Sequence, residues 1–507
     1  MLHAVIKRIL ASRYNKFAQS HYQVPLATQQ AVYRQLLVRG HKSIYGHDHG
    51  LKADTSLADF KRQVPIVSYE ELFPYIQRGL RGEANVLWPG FTHWYSKSSG
   101  TTNARSKYIP ITTESLQGCH FKAGRDVLAL YQHQVPESKL LLRPNIALGG
   151  SLQPNPEGGP AKCGDISAVM MHNLPWWAQY LRRPKLDVAL MSEFEQKLEL
   201  IAKAAIKLDL AAISGVPTWN VVLLRRVLEL TGKSHLREVW PNLELFFHGA
   251  VSFGPYRRIF DELIQGPGMH YFELYNASEG FFGAQDDMSL NDEMLLMLDH
   301  GIYYEFMPID ELDSQQPITV GLEDVELGRN YALVISTNGG LWRYLIGDTI
   351  RFTSKAPYRF KITGRTRSFI NVFGEELMVE NAEAALTKAC QQTGAVASNF
   401  TAAPVFMQAS DAQQKGGHEW IIEFERPPHD AEAFAQILDD ALRQVNSDYD
   451  AKRYRDMALT RLKLHIAPQG TFYHWLKYKG KLGGQHKVPR LSNDRLLLEE
   501  IYNLIAG

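Results

Sequence analysis

The sequence predicts an α/β protein of two domains: a large N-terminal domain of mixed sheets and helices, and a small C-terminal α+β domain joined to it by a hinge. Three observations predict this class. The chain has 507 residues, several times the roughly 100–200 residues of one domain. Hydrophobic residues make up 45 % and charged residues 21 %, as in a globular protein with a large core. A β-α-β-β-α-β succession of segments begins at residue 368, and it suffices for a separate small domain.

The elements of the N-terminal part follow from periodicity and from capping residues. The stretch before Asn85 is predicted to form helices and loops, and 91–95 is predicted to be a strand that leads into a loop. Apolar residues recur at helical spacing over 192–209, where Ser192 and Glu195 fit a capping box. This pattern predicts a long amphipathic helix.

The remaining elements are predicted in chain order. A helix is expected from Thr218 to Gly232. Apolar and aromatic residues predict a buried strand and loop at 243–253, and β-prone residues predict a strand at 331–336. After a hinge near 363–367, the C-terminal pattern is a strand from 368, a helix at 379–392, strands at 398–408 and 419–425, a helix at 431–446 and a strand at 461–466. The predicted domains are therefore 1–363 and 364–507.

Composition excludes several classes of protein. The chain carries 55 Lys and Arg against 54 Asp and Glu, and this balance argues against a broad nucleic-acid surface. Its three cysteines are far apart in sequence, so neither a disulfide framework nor a CxxC metal site is expected. No run of about 18 apolar residues occurs, so no membrane span is expected, and a cytoplasmic location follows by default.

The densest chemical signal is the segment Ser96–Lys107, which is rich in hydroxyl groups, glycine and cations. Gly100 lets the backbone turn sharply or approach a ligand. Backbone N–H groups and hydroxyls there can surround phosphate oxygens, and Lys107 can add a charge against the β- and γ-phosphates. The spacing of a Walker A loop is absent. A Ser/Thr-rich surface turn is the alternative interpretation.

The segment Glu273–Gly280 carries an aromatic ring, a hydroxyl and a carboxylate close together. Tyr275 can stack on a base, and Ser278 can donate to a phosphate. Glu279 can hold Mg²⁺, a hard ion that prefers oxygen ligands. The alternative is the end of a strand followed by a turn with a solvated carboxylate.

Three further segments add groups that a nucleotide needs. In Trp342–Thr349, Asp348 follows a glycine at the end of a strand and can accept from both ribose hydroxyls; a hairpin turn is the alternative. In 362–367, Gly364 beside two arginines fits a hinge that carries cations, or else a solvated loop. The segment 478–490 is a glycine-hinged cationic loop, from which a mobile lysine can meet charge developing on a phosphate; a flexible basic surface loop is the alternative.

Taken together and in this order, these segments resemble the adenylate-forming superfamily. The series SSGTT and SK, YNASEG, YLIGD, TGR and a late lysine is similar to the Gretchen Hagen family of acyl acid amido synthetases, from residue 20 to 495. The run Ser98–Thr102 and the ending Gln485–Arg490 are closer to this family than to acyl-CoA ligases. Ala104 replaces a glycine often found in the phosphate loop, and Asn276 stands where plant members commonly have alanine.

The resemblance implies an ATP- and Mg²⁺-dependent ligase that joins a carboxylic acid to AMP with release of pyrophosphate, and then transfers the acyl group to an amine, usually that of an amino acid. It implies Lys107 and Lys487 as catalytic residues and Glu279 as the metal ligand. The residues that it implies for nucleotide binding are Ser98, Ser99, Gly100, Thr101, Thr102, Tyr275, Asn276, Ser278, Asp348 and Arg365.

The acyl pocket is predicted from two apolar segments, 213–219 and 246–250, although an ordinary core has the same composition. The candidate lining residues are Arg125, Val216, Thr218, Trp219, His248 and Gly249. A thioester-forming ligase that uses coenzyme A or a carrier thiol shares the first half-reaction and is the alternative function. A non-catalytic nucleotide-binding protein is the second alternative. The acid, the amine and the oligomeric state cannot be read from the residues, and no nucleic-acid or membrane partner is expected.

Overall fold

The computed structural model describes residues 2–98, 107–175, 179, 182–191, 193–250, 253–312, 314–366, 369–370, 375, 377–405, 417–446, 449–450, 453, 459–482, 487–492 and 494–506. The chain forms two compact units. Unit 1 comprises Met1–Ala250, Gln265–Ile346 and Ile350–Lys361, and unit 2 comprises Val251–Ile264, Gly347–Thr349 and Ile362–Gly507. The boundary predicted between residues 363 and 364, and the hinge there, stay predictions.

Two sheets form the frame of unit 1, although β14 and β15 also have residues in unit 2. The smaller has the strand order β2-β1-β5-β4, and the larger has the order β12-β13-β14-β15-β11-β10-β9-β8-β7-β3-β6. The strands are β1 (Trp94–Ser98), β2 (Lys107–Ile111), β3 (Asn145–Ala147), β4 (Leu152–Gln153), β5 (Lys162–Gly164), β6 (Arg182–Arg183), β7 (Ala212–Gly215), β8 (Leu245–Gly249), β9 (His270–Asn276), β10 (Phe281–Ala284), β11 (Met294–Leu296), β12 (Ile302–Pro308), β13 (Asn330–Thr337), β14 (Tyr344–Lys355) and β15 (Tyr358–Arg365).

One half of the large sheet is parallel, and this half sets the position of the candidate acyl pocket. Strands β6, β3, β7, β8 and β9 pair in parallel, so their carboxyl ends lie at one edge. Ligands of open α/β sheets bind at this edge. Strand β9 then turns back into β10 as an antiparallel pair. Buried residues of β7 to β10 join those of the antiparallel strands and of the helices in the main core of the unit.

The helices of unit 1 cover these sheets, and several of them begin at a residue whose side chain caps the helix. They are α1 (Leu2–Ala18), α2 (Pro25–Gly40), α3 (Ile44–Asp48), α4 (Leu57–Gln63), α5 (Tyr69–Leu80), α6 (Thr113–Ser115), α7 (Phe121–Gln134), α8 (Ile166–His172), α9 (Leu186–Ala189), α10 (Phe194–Ala205) and α11 (Pro217–Thr231). Helix α11 ends as predicted at Gly232, whose φ of 63° suits glycine. Among the residues described, no helix is long and apolar enough to span a bilayer.

Two boundaries in unit 1 differ from the sequence predictions. Helix α10 begins at Phe194, and the carboxylate of Glu193 accepts hydrogen bonds from the N–H groups of Glu195 and Gln196. Glu193 therefore takes the capping role predicted for Ser192, which lies outside the described residues. The strand predicted at 91–95 is β1, shifted along the chain because its partner β2 pairs with Trp94–Ser98.

The core of unit 2 is a three-stranded sheet packed with two helices. Strands β18 (Val396–Val405), β19 (Gly417–Arg426) and β20 (Lys463–Ala467) form this sheet. The helices of the unit are α12 (Gly254–Ile264), α13 (Val379–Thr393), α14 (Ala431–Val445), α15 (Thr471–Tyr478) and α16 (Leu496–Ala506). The predicted order of segments is confirmed, but the first strand does not belong to this sheet. It is β16 (Phe369–Ile370), which pairs instead with the short β17 (Leu377–Met378).

A buried network of charged groups connects α1 and α7 to the loop before β12. Arg13 Nε lies 2.6 Å from Asp126 Oδ1, and Lys122 Nζ lies 2.8 Å from Asp126 Oδ2 and 2.6 Å from Asp299 Oδ1. His300 is fully buried between the two carboxylates, 3.0 Å from Asp126 and 3.2 Å from Asp299. The charges are thus paired within the protein, as buried charges must be.

His21, Asp299 and His300 in this network have the spacing of metal ligands. Their other partners argue for a structural role. Lys122 already supplies the cation at Asp299. His21 Nε2 accepts a hydrogen bond from the N–H of Leu298 at 3.0 Å, so its lone pair is engaged. We interpret these three residues as part of a polar network that stabilises the packing of the secondary-structure elements.

Acid should weaken the fold through His120, which is 1 % exposed beside this network. Burial first, and then the charge of His300, lower the pKa of His120 to about 4. The ring stays neutral in the folded protein while the unfolded chain takes up a proton near pH 6.5, so stability is lost as the pH falls from 6.5 toward 4. His120→Asn should flatten the fall in the free energy of unfolding across this range, measured by urea denaturation. His47→Asn, at a side chain 91 % exposed, is the control; an unchanged slope in His120→Asn would contradict the assignment.

Candidate active site

The first predicted motif lies on the β1–β2 hairpin. Ser98 and Lys107 face each other at the end of this antiparallel pair. Ser99, Gly100, Thr101 and Thr102 lie outside the described residues. Ser98 is half-buried. The structure therefore places the two ends of the predicted phosphate loop side by side.

The second motif is the turn between β9 and β10. Ala277 and Gly280 exchange backbone hydrogen bonds, the N–H of Ala277 to the carbonyl of Gly280 at 2.8 Å and the reverse at 3.3 Å. This places Ser278 and Glu279 at the two corners of the turn. The turn thus presents a hydroxyl and a carboxylate together at the end of the parallel part of the sheet.

Ser96 and Ser278 join the first two motifs. The hydroxyl of Ser96 donates to Ser278 Oγ at 2.8 Å, and both side chains are buried. This bond connects residues 182 positions apart in sequence. Glu279, the next residue, is 9 % exposed. Ser96 was absent from the predicted site, although it belongs to the same hydroxyl-rich segment.

Tyr275 and Asn276 end strand β9. The ring of Tyr275 lies 4.9 Å from that of Phe282 and 6.1 Å from that of Phe360, between centroids, and it is largely buried in the core. Asn276 is half-buried and pairs with Phe281 in the sheet register. Their roles toward adenine stay predictions.

The first and third motifs meet at Lys107. Its Nζ lies 3.5 Å from the hydroxyl of Tyr344, 6.0 Å from the centroid of that ring and 5.4 Å from the centroid of the Tyr69 ring. Tyr69 Oη also accepts a hydrogen bond from the N–H of Tyr108 at 2.8 Å. Tyr69 lies outside every predicted motif, and no local pattern could have indicated it because its partners are distant in sequence.

Asp348, Arg365 and Lys487 lie together in unit 2. Arg365 Nε is 2.9 Å from Asp348 Oδ1, so the predicted ribose acceptor is held by the predicted hinge arginine. Lys487 is exposed, yet protein atoms around its ammonium displace part of the water there. This desolvation lowers the pKa of Lys487 to about 8, the guanidinium groups of Arg365 and Arg490 lower it too, and Asp348 and Glu383 oppose the shift. Water that reaches the side chain limits the change.

The predicted acyl-pocket residues lie at the carboxyl ends of neighbouring parallel strands. Gly215, just before Val216, is in register with His248. Trp219 and His248 are buried, at 3 % and 4 % exposed. A side chain on Gly249 would overlap the carbonyl oxygen of Leu274, so only glycine fits there. The side chain of Thr218 lies outside the described part of the structure.

Arg125 takes a different position. It is exposed on α7, and its guanidinium donates to the carbonyl of Gln117 at 3.5 Å. Partial desolvation of the guanidinium by neighbouring groups and then the charge of Arg13 lower the pKa of Arg125, and Asp126 opposes the shift. None of these described contacts brings Arg125 to the other predicted site residues.

A buried lysine supports the same edge of the sheet, and it was not predicted. Lys197 on α10 is 3 % exposed, and its Nζ donates to the carbonyls of Gly149 and Gly150 at 2.7 and 2.8 Å. These glycines follow the carboxyl end of β3. The signal available in sequence was weak: Lys197 lies four residues before buried Ile201, and so on the same helix face.

The fold is shared with solved carboxylate-activating enzymes. The structure of AtGH3.15 acyl acid amido synthetase in complex with 2,4-DB matches 99 % of this chain and 96 % of its own, with a TM-score of 0.79 and 16 % identity. A 2-hydroxyisobutyryl-CoA ligase in complex with 2-HIB-AMP matches 99 % of this chain and 93 % of its own, with a TM-score of 0.56 and 14 % identity. The fold is therefore that of the adenylate-forming ligases, as predicted.

The family follows from the sequence comparisons. Models of the GH3 family N-terminal, central and C-terminal domains match residues 15–269, 295–365 and 380–496. The chain belongs to the GH3 family, which confirms the predicted resemblance. Indole-3-acetic acid-amido synthetase GH3.3 of Arabidopsis thaliana is 23 % identical over 91 % of this chain and 88 % of its own length. Jasmonoyl–L-amino acid synthetase JAR4 of Nicotiana attenuata is 24 % identical over 91 % and 90 %.

Proposed function

We propose that this protein is an ATP-dependent acyl acid amido synthetase, which activates a carboxylic acid as acyl-AMP and transfers the acyl group to the amine of an amino acid. The observation that supports this most directly is the meeting of three motifs in unit 1. Ser96 bonds Ser278 beside Glu279, and Lys107 contacts Tyr344 at the start of the YLIGD segment. The names of the relatives, which are amido synthetases of two plant acids, support the same reaction.

The chemistry requires that two negative species be held together. In the first step an oxygen of the acid attacks the α-phosphorus of ATP, the bond to the β-phosphate oxygen breaks, and pyrophosphate leaves. Lys107 and the hydroxyls of the β1–β2 hairpin screen the phosphates, and Lys487 meets the charge that develops during transfer. In the second step the amine attacks the acyl carbon, AMP leaves with the bonding electrons, and the amine loses a proton.

Mg²⁺ fits the β9–β10 turn by its donor chemistry. The turn offers the carboxylate of Glu279 beside the hydroxyl of Ser278, and hard cations prefer such oxygen ligands. Glu279 would hold the ion, which supplies positive charge against the phosphates when it is bound. Asp348 would accept from the ribose, with Arg365 orienting its carboxylate at 2.9 Å.

A pyrophosphate-release assay tests the proposal. The protein is incubated with ATP, Mg²⁺ and a panel of aromatic, jasmonate-like and fatty acids, each with and without mixed amino acids. Release that depends on one acid and rises with amino acids supports the amido synthetase. Release that rises only with coenzyme A or another thiol would replace it with a thioester ligase. ATP binding without release for any acid or acceptor would favour a non-catalytic nucleotide-binding protein.

Glu279→Gln should reduce acid-dependent pyrophosphate release by about 10²-fold, since removing one electrostatic contact to the reacting phosphates costs 10²–10³ in rate. The substitution keeps the shape of the side chain but removes its negative charge. Raising the Mg²⁺ concentration should recover part of the loss if the charge holds the ion. Glu293→Gln, at a half-buried carboxylate that accepts from Thr353 at 3.0 Å, is the control. An unchanged rate in Glu279→Gln would remove the metal role from this residue.

A further inference from the structure

Tyr69 is held at a defined place by its backbone. It is the first residue of α5, and the capping box of Ser68 and Glu71 determines where this helix begins. Val67, two residues before Tyr69, is hydrogen-bonded to the third motif through its main chain. Its N–H donates to the carbonyl of Arg343 at 3.1 Å, and its carbonyl accepts from the N–H of Leu345 at 2.9 Å. Tyr69 and Tyr344 are therefore brought together by main-chain bonds.

The two rings lie around one ammonium group. Lys107 Nζ is 5.4 Å from the Tyr69 centroid, 6.0 Å from the Tyr344 centroid and 3.5 Å from the Tyr344 hydroxyl. Distances within about 6 Å of a ring face give cation–π attraction. The bond from the N–H of Tyr108 to Tyr69 Oη ties the same ring to the strand that carries Lys107. The ammonium therefore has an aromatic partner on two sides.

Tyr69 also lies within electrostatic reach of the carboxylate predicted to hold the metal. Burial raises the pKa of Tyr69, the hydrogen bond from Tyr108 lowers it, and the charges of Tyr108, Glu70 and Glu279 raise it. The phenol thus stays neutral and keeps the negative ring face that attracts a cation. One residue outside the motifs therefore contacts the predicted phosphate lysine, and its pKa is affected by the charge of the predicted metal ligand.

We propose that Tyr69 and Tyr344 are positioning residues, which hold the ammonium of Lys107 in place for the β- and γ-phosphates of a nucleoside triphosphate. This inference rests on the proposed function. A free lysine side chain has four rotatable bonds and must lose that freedom when it binds a phosphate. A lysine that is already ordered between two rings loses less, so the site binds the triphosphate more tightly than a mobile lysine would. AMP lacks these phosphates and gains nothing from the arrangement.

Titration calorimetry of the full chain with Mg²⁺–ATP and with AMP tests the proposal. Tyr69→Leu should weaken Mg²⁺–ATP binding about 5- to 10-fold, in the range of a cation–π contact, and AMP binding less than about twofold. Tyr344→Phe removes only the hydroxyl and should weaken Mg²⁺–ATP binding about two- to threefold. Tyr75→Leu is the matched control, because Tyr75 lies on the same helix and its hydroxyl bonds Asp48 at 2.9 Å, away from Lys107.

A double-mutant cycle separates positioning from general packing. In the Lys107→Met background, Tyr69→Leu should have almost no further effect on Mg²⁺–ATP binding, because the group that it positions is absent. Equal weakening of ATP and AMP, or additive effects with Lys107→Met, would overturn the proposal. If Tyr69→Leu does not fold, Tyr344→Phe with the same two ligands decides. A wild-type protein that binds AMP and ATP equally overturns this inference alone, whereas one that binds neither nucleotide overturns the proposed function as well.

Discussion

Arg343→Met should lower the free energy of unfolding by about 3–5 kcal/mol, the cost of leaving a buried charge without its partner. Arg343 is 5 % exposed and its partner Glu305 is 1 % exposed. Nε and Nη2 each lie 3.0 Å from a carboxylate oxygen of Glu305. The remaining donors bond the carbonyls of Lys61 and Val64 at 3.0 and 2.8 Å and the hydroxyl of Thr319 at 3.2 Å.

The same side chain holds a strained backbone. Arg343 has a φ of 43°, in the left-handed region that residues other than glycine avoid. The hydrogen bonds of the guanidinium hold the residue in this conformation. The next residue is Tyr344, which contacts Lys107. Loss of Arg343 should therefore also disturb the position of Lys107.

Urea denaturation measures the effect, with Arg329→Met as the matched control. Arg329 pairs with Asp310 at 3.2 Å and Glu326 at 3.1 Å on the surface, where such pairs contribute at most about 1 kcal/mol. The double variant Glu305→Met/Arg343→Met should recover part of the loss, since it removes both charges. A loss in Arg343→Met no larger than in Arg329→Met would show that the buried pair does not stabilise the fold.

Lys487→Ala should reduce acid-dependent pyrophosphate release by about 10²- to 10³-fold, the usual effect of removing one group that stabilises charge in the transition state. The ammonium of Lys487 must carry its proton in this role. Its pKa is lowered to about 8, first by desolvation. The ammonium loses its proton as the pH rises through this value, so the wild-type rate should fall above about pH 8.

Lys487→Arg gives the decisive pH profile. A guanidinium stays protonated throughout this range, so the alkaline fall should move to higher pH even if the absolute rate is lower. Lys481→Ala removes one positive charge from the same segment and is the control for a general electrostatic effect. An alkaline fall at the same pH in Lys487→Arg, or a rate near wild type in Lys487→Ala, would contradict the assignment.

The sequence by itself was sufficient for the class, the order of elements and the motifs. Periodicity and turn residues act between neighbours in the chain, and they predict many of the observed elements. These are helix α11 with its glycine end, strands β13 and β18 to β20, and helices α13 and α14. The family resemblance rested on five short segments in a fixed order, and the family it named is confirmed by the models that match residues 15–269, 295–365 and 380–496. Local chemistry was enough for these statements because each depends on a few consecutive residues.

Only the tertiary structure decided which side chains meet. Ser96 bonds Ser278 across 182 positions, and the ring of Tyr69 reaches Lys107 because main-chain bonds join α5 to the start of β14. Lys197 donates hydrogen bonds to the carbonyls of Gly149 and Gly150, and it lies on a helix whose sequence indicated no functional residue. The first strand of the C-terminal segment pairs with the short β17 and not with the three-stranded sheet. Such contacts depend on strand register and on the packing of distant segments, and no residue pattern within one segment determines either of these.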